Sequence, residues 1–402
     1  MSNLQAIKRI IENDKVEILY LNFIDFKGEV RTKGIFIYEL LKNLEGFFND
    51  GISVTGNLID AIDEGSNFFI VKPIAETFTV LNWIHGSNYK SAFVLCTLLN
   101  SPIDSRGILS HVVDIIKRLH YKPMCGLGIT YCLDGDNAAA GNGYYKLIPS
   151  SKLNVFNTDA ANILISSGID IEYFIPSGIN HNHLAFVTKD LLRAIDQYAL
   201  ATWITSSVAA YNQVGIKFSK PFENSAPIHF SIWDEDENNN LFYDPSEQYE
   251  LSALGYSFIA GVLKYFDEIF AVIIGSSGIM PTINYKRNYS YDDDDNVISA
   301  PCFFFENGKM ARSGWSKRCV FRGIMHETNL YLAVACIFLA GKIGVNEKLN
   351  VSDYCNRNYG IQTLSLTGKM DKLKQCQPFT EVLGQPIVDQ LIGKLDKMCT
   401  KK

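Results

Sequence analysis

Alternating apolar and polar positions predict a β-rich unit in the first hundred residues. A polar break with proline and glycine, SPIDSRG, follows at residues 101–107. We therefore place a domain boundary near residue 100, with residues 1–100 as a small N-terminal domain and residues 101–402 as a second domain. The predicted strands of the first unit are residues 15–30 and 31–37, which form a hairpin around the turn FKGE, residues 67–74 and 77–84 as a second pair, and residues 91–99.

Helical and strand patterns are mixed in the second domain. Residues 108–120 repeat apolar side chains at helical spacing, and residues 329–344 are apolar enough to form a buried helix, although the run is too short to span a bilayer. Strands and helices do not alternate one for one, so we predict an α+β fold and not a doubly wound sheet. The other predicted helices cover residues 158–168, 188–215 and 254–273, and the other predicted strands cover residues 122–135, 168–176, 183–187 and 226–234.

The composition and net charge of the chain limit the classes of protein to which it can belong. The chain has 402 residues, 47% of them hydrophobic, which is enough to bury a large core. A net charge of −6 without a basic tract argues against nucleic acid as a partner. The nine cysteines have no CxxC spacing, and the N-terminus has no apolar signal segment. We expect a soluble cytoplasmic protein with reduced thiols and no membrane partner.

Two histidines raise the question of a metal site. His181 and His183 lie two residues apart in an extended segment, where side chains at i and i+2 share a face. With His229 as a third ligand they would favour Zn²⁺ or another transition metal. The alternative is that they are ordinary polar residues near a strand edge.

Several segments, taken in order, resemble the glutamine synthetase family. They are SPIDSRGILSHVVDIIKRL, KPFENSAPIHFSIWD, INYKRN and NLYLAVACIFLAGKIG, together with the stretch SNFFIVKPIAETFTVLNW before the domain boundary. The resemblance implies a β-grasp N-terminal domain followed by a catalytic domain in which helices pack on an antiparallel sheet, and it fades after about residue 350. Members form ring oligomers and use ATP with Mg²⁺ or Mn²⁺ to ligate ammonia to the γ-carboxylate of glutamate.

The sequence departs from this family where metal ligands are required. The family has six metal-ligand positions, and matching the motifs to this sequence places other residues at all six. In the N-terminal domain, Thr55 stands where the family has an aspartate. We therefore expect no catalytic residue, no metal ligand and no resident cofactor. The six positions are Gly128, Thr130, Pro176, His183, Pro227 and Val320.

Other family positions are retained. By the resemblance, Arg287 and Arg322 would bind the glutamate substrate, although both could instead be structural arginines in an interface cleft. His229 and Ser231 would lie near the nucleotide, and Lys220 could contact its phosphates. Asp293 could replace a flap carboxylate, or belong to a solvated acidic loop.

These observations lead to one hypothesis and two alternatives. The hypothesis is a pseudoenzyme with a binding, regulatory or scaffold role, which assembles with itself or with an active relative and keeps a pocket for a small amino acid. One alternative is an active ATP-dependent glutamate–ammonia or amine ligase with a rewired site. The other is a histidine-metal enzyme built on His181, His183 and His229.

Overall fold

The computed structural model has the predicted α+β architecture. Helices pack against sheets that are largely antiparallel, and strands and helices follow no regular alternation. The structure describes residues 3–55, 68–81, 90–99, 101, 103–134, 152–176, 181–218, 227–281, 283–290, 295–301, 303–306, 309–312 and 314–400.

The N-terminal part forms a six-stranded sheet in the order β2-β1-β6-β4-β3, with β5 also paired to β6. The predicted hairpin is confirmed, because β1 and β2 pair antiparallel from Ile18 opposite Phe36 to Ile24 opposite Val30. The predicted second pair is wrong: β4 and β5 each pair with β6 instead of with one another. The elements are α1 (Asn3–Asp14), β1 (Val16–Ile24), β2 (Val30–Phe36), α2 (Ile37–Leu40), α3 (Leu44–Asp50), β3 (Ile52–Thr55), β4 (Phe68–Pro73), β5 (Thr79–Leu81) and β6 (Lys90–Leu99).

A four-stranded sheet, β12-β8-β10-β9, follows in the second part of the chain. Residues 122–135, predicted as one strand, form two strands in different sheets, with Leu127 between them. The apolar pattern runs across this junction because both strands are largely buried. The elements of this region are α4 (Ser105–Lys117), β7 (Tyr121–Gly126), β8 (Gly128–Leu133), α5 (Lys152–Ser166), β9 (Ile171–Pro176), β10 (Asn182–Phe186), β11 (Lys189–Asp190), α6 (Leu191–Tyr211), β12 (Ile216–Phe218) and β13 (Ile228–Asp234).

A seven-stranded sheet in the order β11-β7-β13-β18-β15-β14-β19 is the largest in the described residues. Its neighbouring strands are antiparallel except for the parallel pair β14 and β15. The remaining elements are α7 (Ala253–Lys264), α8 (Phe266–Ser277), β14 (Lys286–Ser290), β15 (Asn296–Ser299), β16 (Phe303–Glu306), β17 (Lys309–Arg312), β18 (Cys319–Phe321), α9 (Leu330–Glu347), β19 (Asn356–Gly360), α10 (Leu366–Gln375), α11 (Gln377–Leu383) and α12 (Gln385–Thr400).

Helix α9 is the core helix predicted from the apolar run at residues 329–344. At 18 residues it is longer than expected, and it is the one helix in the described part of the chain that is long and apolar enough to cross a membrane. However, 72% of it is buried inside the protein. A Cβ added at Gly261 of α7 would lie 2.1 Å from the carbonyl oxygen of Ala340, so glycine lets α7 and α9 approach closely.

The predicted single helix at residues 254–273 is two helices, α7 and α8. The chain leaves helical geometry at Tyr265, where φ is −98° and ψ is 26°. Apolar residues continue on both sides of the break, and most side chains of both helices are buried. Hydrophobic periodicity alone does not reveal such a break, because both halves bury their apolar faces in the same core.

Candidate functional site

A cavity with a volume of about 750 Å³ is lined by two sheets. Strands β7 and β13 of the seven-stranded sheet line one side, and β8, β9 and β10 of the four-stranded sheet line the other. The two sheets are continuous through Leu127, which also lines the cavity. The cavity therefore lies where the chain passes from one sheet to the other.

Three of the six replaced metal-ligand positions line this cavity: Gly128, His183 and Pro227. A fourth, Thr130, faces His183 across the β8–β10 pair, and its Oγ1 lies 3.0 Å from His183 Nδ1. The fold thus brings together four of the six positions that the motif matching selected.

His183 is held as a neutral imidazole. Burial lowers its pKa to about 4, because the charged form loses its hydration. The imidazole Cε1 lies 2.8 Å from where a Cβ at Gly128 would be, and the Leu184 carbonyl oxygen lies only 2.2 Å from that point. Any side chain at position 128, including a glutamate, would require the two strands to move apart.

His229 is paired with an arginine. Arg318 Nε donates a hydrogen bond of 2.9 Å to His229 Nδ1, and both side chains line the cavity. Burial, followed by the charge of Arg318, lowers the pKa of His229 to about 3. Since Nδ1 accepts from a guanidinium, the ring is neutral and its proton lies on Nε2. Neither nitrogen then has a lone pair for a metal ion.

Ser231 also lines the cavity, on β13 beside His229. Its hydroxyl accepts a hydrogen bond of 2.9 Å from Trp233 Nε1, which fixes the orientation of the Trp233 ring in the cavity wall. Lys317, fully buried, donates to the carbonyl oxygens of Ala300 and Tyr249. Its ammonium group is therefore held next to the cavity by backbone carbonyl groups.

Two acidic side chains line the cavity, and neither occupies a replaced ligand position. Glu172 is exposed at the rim, and Glu237 forms an ion pair with Lys122. Within the described residues no group of three or more His, Cys, Asp or Glu side chains is placed to hold a metal ion. His181, His183 and His229 therefore do not form the predicted histidine-metal cluster. Mg²⁺ and Mn²⁺ require oxygen ligands, and the described walls do not fit them.

The two predicted substrate arginines are not among the residues that line the cavity. The Arg287 guanidinium lies 4.5 Å from the ring centroid of Tyr359, and Arg322 Nη1 donates to Ser299 Oγ at 2.9 Å. Val320 pairs with His229 across β13 and β18, and Pro176 pairs with Asn182 at one end of β9 and β10.

Sequence reasoning placed two further candidates outside the described residues, Lys220 and Asp293. It missed Lys317 and Arg318. The sequence offers only one signal for them, which is that two basic residues are adjacent. Thr55 is the last residue of β3 and is exposed.

Comparison with known proteins shows to which family the chain belongs. The model of the family described as "Glutamine synthetase, catalytic domain" matches residues 102–393, well over half of the chain. The chain belongs to the glutamine synthetase family. The matched region includes β19 and α10 and extends into α12.

Individual glutamine synthetases support this assignment over nearly the whole chain. The glutamine synthetase of Thermotoga maritima is 26% identical over 98% of this chain and 95% of its own length. That of Staphylococcus aureus strain Mu50 is also 26% identical, over 97% of this chain and 93% of its own. A crystal structure described as a novel glutamine synthase homolog superposes with a TM-score of 0.79 at 16% identity, covering 96% of this chain and 95% of that one. This likeness confirms the fold.

Proposed function

We propose that this glutamine synthetase family member does not carry out metal-dependent ligation and has a binding, regulatory or scaffold role. One observation carries the proposal: the three replaced ligand positions that line the cavity present glycine, proline and neutral imidazole where the resemblance implies metal ligands. The fold and the cavity are retained, while the donor atoms that the family's chemistry needs are replaced.

Physical chemistry connects these replacements to loss of activity. Triphosphate and carboxylate repel one another, and bound divalent cations normally bring them together and stabilise the transferred phosphoryl group. Changing even a group that only orients a metal ligand lowers metal affinity or activity about 10–100-fold. Replacing the ligands themselves should have a larger effect.

The partners we propose follow from the family. The chain would form a homo-oligomer or co-assemble with an active relative, with no nucleic acid or membrane partner. A pocket for a small amino acid could use Arg287, which lies on β14, and Arg322, which directly follows β18; β15 lies between these two strands in the seven-stranded sheet. The eight cysteines in the described residues are free thiols, which supports a reducing, cytoplasmic environment.

Calorimetric titration with a non-hydrolysable ATP analogue, with and without Mg²⁺, tests the proposal. We expect no Mg²⁺-dependent binding at millimolar nucleotide, while an active glutamine synthetase titrated in parallel shows that the assay detects such binding. Tight Mg²⁺-dependent binding would support the active ligase with a rewired site instead. The histidine-metal enzyme is not proposed, because its three histidines do not assemble.

A further inference from the structure

A second cavity, with a volume of about 260 Å³, is lined by the β1–β2 turn, helix α6 and the segment that leads into α9. We call it the α6 cavity. No described residue lines both the α6 cavity and the cavity between the two sheets. Because about 10–15 Å³ of such volume already admits one water molecule, the α6 cavity has room for a small organic molecule.

Three hydroxyl groups in the wall of the α6 cavity can act only as acceptors towards a ligand. Thr202 Oγ1 donates its proton to the Tyr198 carbonyl oxygen at 2.9 Å, and Ser206 Oγ donates to the Thr202 carbonyl oxygen at 2.8 Å. The Tyr331 hydroxyl donates to Asp196 at 2.9 Å. A hydroxyl group has one proton, so only lone pairs remain on these three oxygens. A ligand that bonds to them has to bring the donors.

A carboxylate adds negative charge to these acceptors. Glu327 lines the α6 cavity with an exposed side chain, and it forms no ion pair with any residue that the structure describes. Burial, followed by the charge of Glu327, raises the pKa of the Tyr198 hydroxyl, so this charge acts on the wall. The wall also contains Lys27 and Glu29, of which Glu29 pairs with Arg31 at 3.0 Å. Carboxylates therefore outnumber ammonium groups among the lining side chains.

Aromatic rings complete a wall that suits a cation. The Trp203 ring lines the α6 cavity and makes edge contacts with Tyr20 and Phe93, whose ring centroids each lie 6.1 Å from that of Trp203. Tyr198 and Tyr331 add two further rings. The faces of aromatic rings attract ammonium groups, and tryptophan does so most strongly. The same rings provide apolar surface for the rest of a ligand.

We infer that the α6 cavity binds a small organic amine in its protonated form, through the carboxylate of Glu327, the hydroxyl oxygens of Thr202 and Ser206, and the aromatic wall. An ammonium group has donors and no acceptor, which matches these groups. A carboxylate or phosphate ligand would meet the same lone pairs without donors of its own. The inference is independent of the proposed function, because the amine site uses none of the replaced ligand positions.

Calorimetric titration of the full chain at pH 7 tests the inference. The probe is benzylamine, which is protonated at this pH, and benzyl alcohol and benzoate are neutral and anionic probes of similar size. We expect benzylamine to bind at least about tenfold more tightly than benzyl alcohol, because hydrogen bonds from a charged donor are stronger than those between neutral groups. Benzoate should show no binding at millimolar concentration.

A first pair of variants tests the carboxylate. Glu327→Gln keeps the size of the side chain and removes its charge, so it should weaken benzylamine binding by about tenfold. The matched control is Glu12→Gln, which changes an exposed glutamate on α1 and should leave the affinity unchanged. Equal melting temperatures without probe show that both variants are folded.

A second pair of variants tests one hydroxyl acceptor on α6. Ser206→Ala should weaken benzylamine binding by about threefold or more, because one hydrogen bond to the ammonium group is lost. Ser207→Ala is the control, since Ser207 Oγ also donates to a carbonyl oxygen four residues earlier, that of Trp203 at 2.9 Å. Ser207 is not among the residues that line the α6 cavity.

The outcomes decide for or against the amine site. Benzylamine binding that is weakened by both Glu327→Gln and Ser206→Ala, and by neither control, supports it. The site is refuted if benzylamine does not bind at millimolar concentration, if benzyl alcohol binds equally well, or if Glu327→Gln and Glu12→Gln have the same affinity. None of these results changes the expected titration with the ATP analogue, so the amine site and the proposed function stand or fail separately.

Discussion

At the scale of single residues, the replaced ligand positions are adapted to each other. Gly128 leaves room for the His183 ring, and Thr130 contacts the Nδ1 atom of that ring at 3.0 Å. Restoring a glutamate at position 128 would meet the Leu184 carbonyl oxygen before it could reach any metal ion. A metal site that uses position 128 would therefore require the backbone of β8 and β10 to move.

Two half-buried histidines, His183 and His229, make stability depend on pH. His183 has a pKa of about 4 in the folded chain against 6.5 for an ordinary histidine, so only the unfolded chain takes up its proton between these values. The free energy of unfolding should therefore be highest above pH 6.5 and fall as the pH decreases towards 4, by at most about 1.4 kcal/mol per pH unit for this histidine. Urea denaturation between pH 7 and 5.5 measures this slope.

His183→Asn should reduce the slope, because the substituted side chain does not titrate in that range. The same substitution at the exposed His111 is the control. An unchanged slope in His183→Asn would show that the imidazole is already hydrated in the folded chain.

Some residues that the sequence singled out line the same cavity. His183, His229 and Ser231 were identified because short motifs carry them, and all three line the cavity. Arg318 was missed because its contact with His229 joins residues 89 positions apart and depends on the pairing of β13 with β18. No local pattern encodes such a contact.

At the scale of elements, local interactions were predictable and distant pairing was not. The β1–β2 hairpin follows from alternation on both sides of a tight turn. Strands β4 and β5 are close in sequence, but both pair with β6, whose buried residues lie on two faces of the sheet. Pairing of β4 and β5 with β6 is therefore more favourable than pairing of β4 with β5.

A buried ion pair connects three helices. Arg106 of α4 donates to Asp196 of α6 through Nε at 2.9 Å and Nη2 at 2.7 Å, and the hydroxyl of Tyr331 of α9 donates to the same carboxylate at 2.9 Å. Burial raises the pKa of Asp196, while Arg106 and Tyr331 oppose that shift. The carboxylate is therefore stable in the core only with its partners.

Arg106→Met should lower the free energy of unfolding by about 3–5 kcal/mol, because it leaves a buried carboxylate without its cation. The double variant Arg106→Met/Asp196→Leu should recover much of this loss. Chemical denaturation at pH 7 measures both values.

Lys90→Met is the control for this prediction, because it breaks an exposed ion pair with Asp14. Such a pair contributes about 0–1 kcal/mol. If Arg106→Met were no more destabilising than Lys90→Met, the buried pair would not be a structural connection between the helices.

At the scale of the whole molecule, residues 351–400 contribute side chains to the core. Strand β19 pairs with β14 at the edge of the seven-stranded sheet, and α12 packs on α8. The sequence resemblance weakened in this region, so its role could not be predicted from motifs. The segment buries almost completely the side chains of Leu373, Phe379, Leu383, Ile387, Val388, Leu391 and Leu395.

Deleting residues 351–402 should therefore prevent folding. Each large apolar side chain contributes about 1.5–3 kcal/mol on burial, and the free energy of unfolding of a whole domain is only about 5–15 kcal/mol. Circular dichroism and gel filtration of the truncated chain measure the outcome. A chain that ends at Asp396 keeps Leu395 and should remain folded, so it controls for truncation itself.

The passage of the chain from one sheet to the other at Leu127 has an evolutionary consequence. Because one residue joins the two walls, their spacing is fixed by covalent backbone and strand pairing and does not depend on the contents of the cavity. Mutations can therefore change the side chains that line the cavity without first changing the backbone that encloses it. A family with this architecture can lose one ligand and acquire another while each intermediate remains a folded protein.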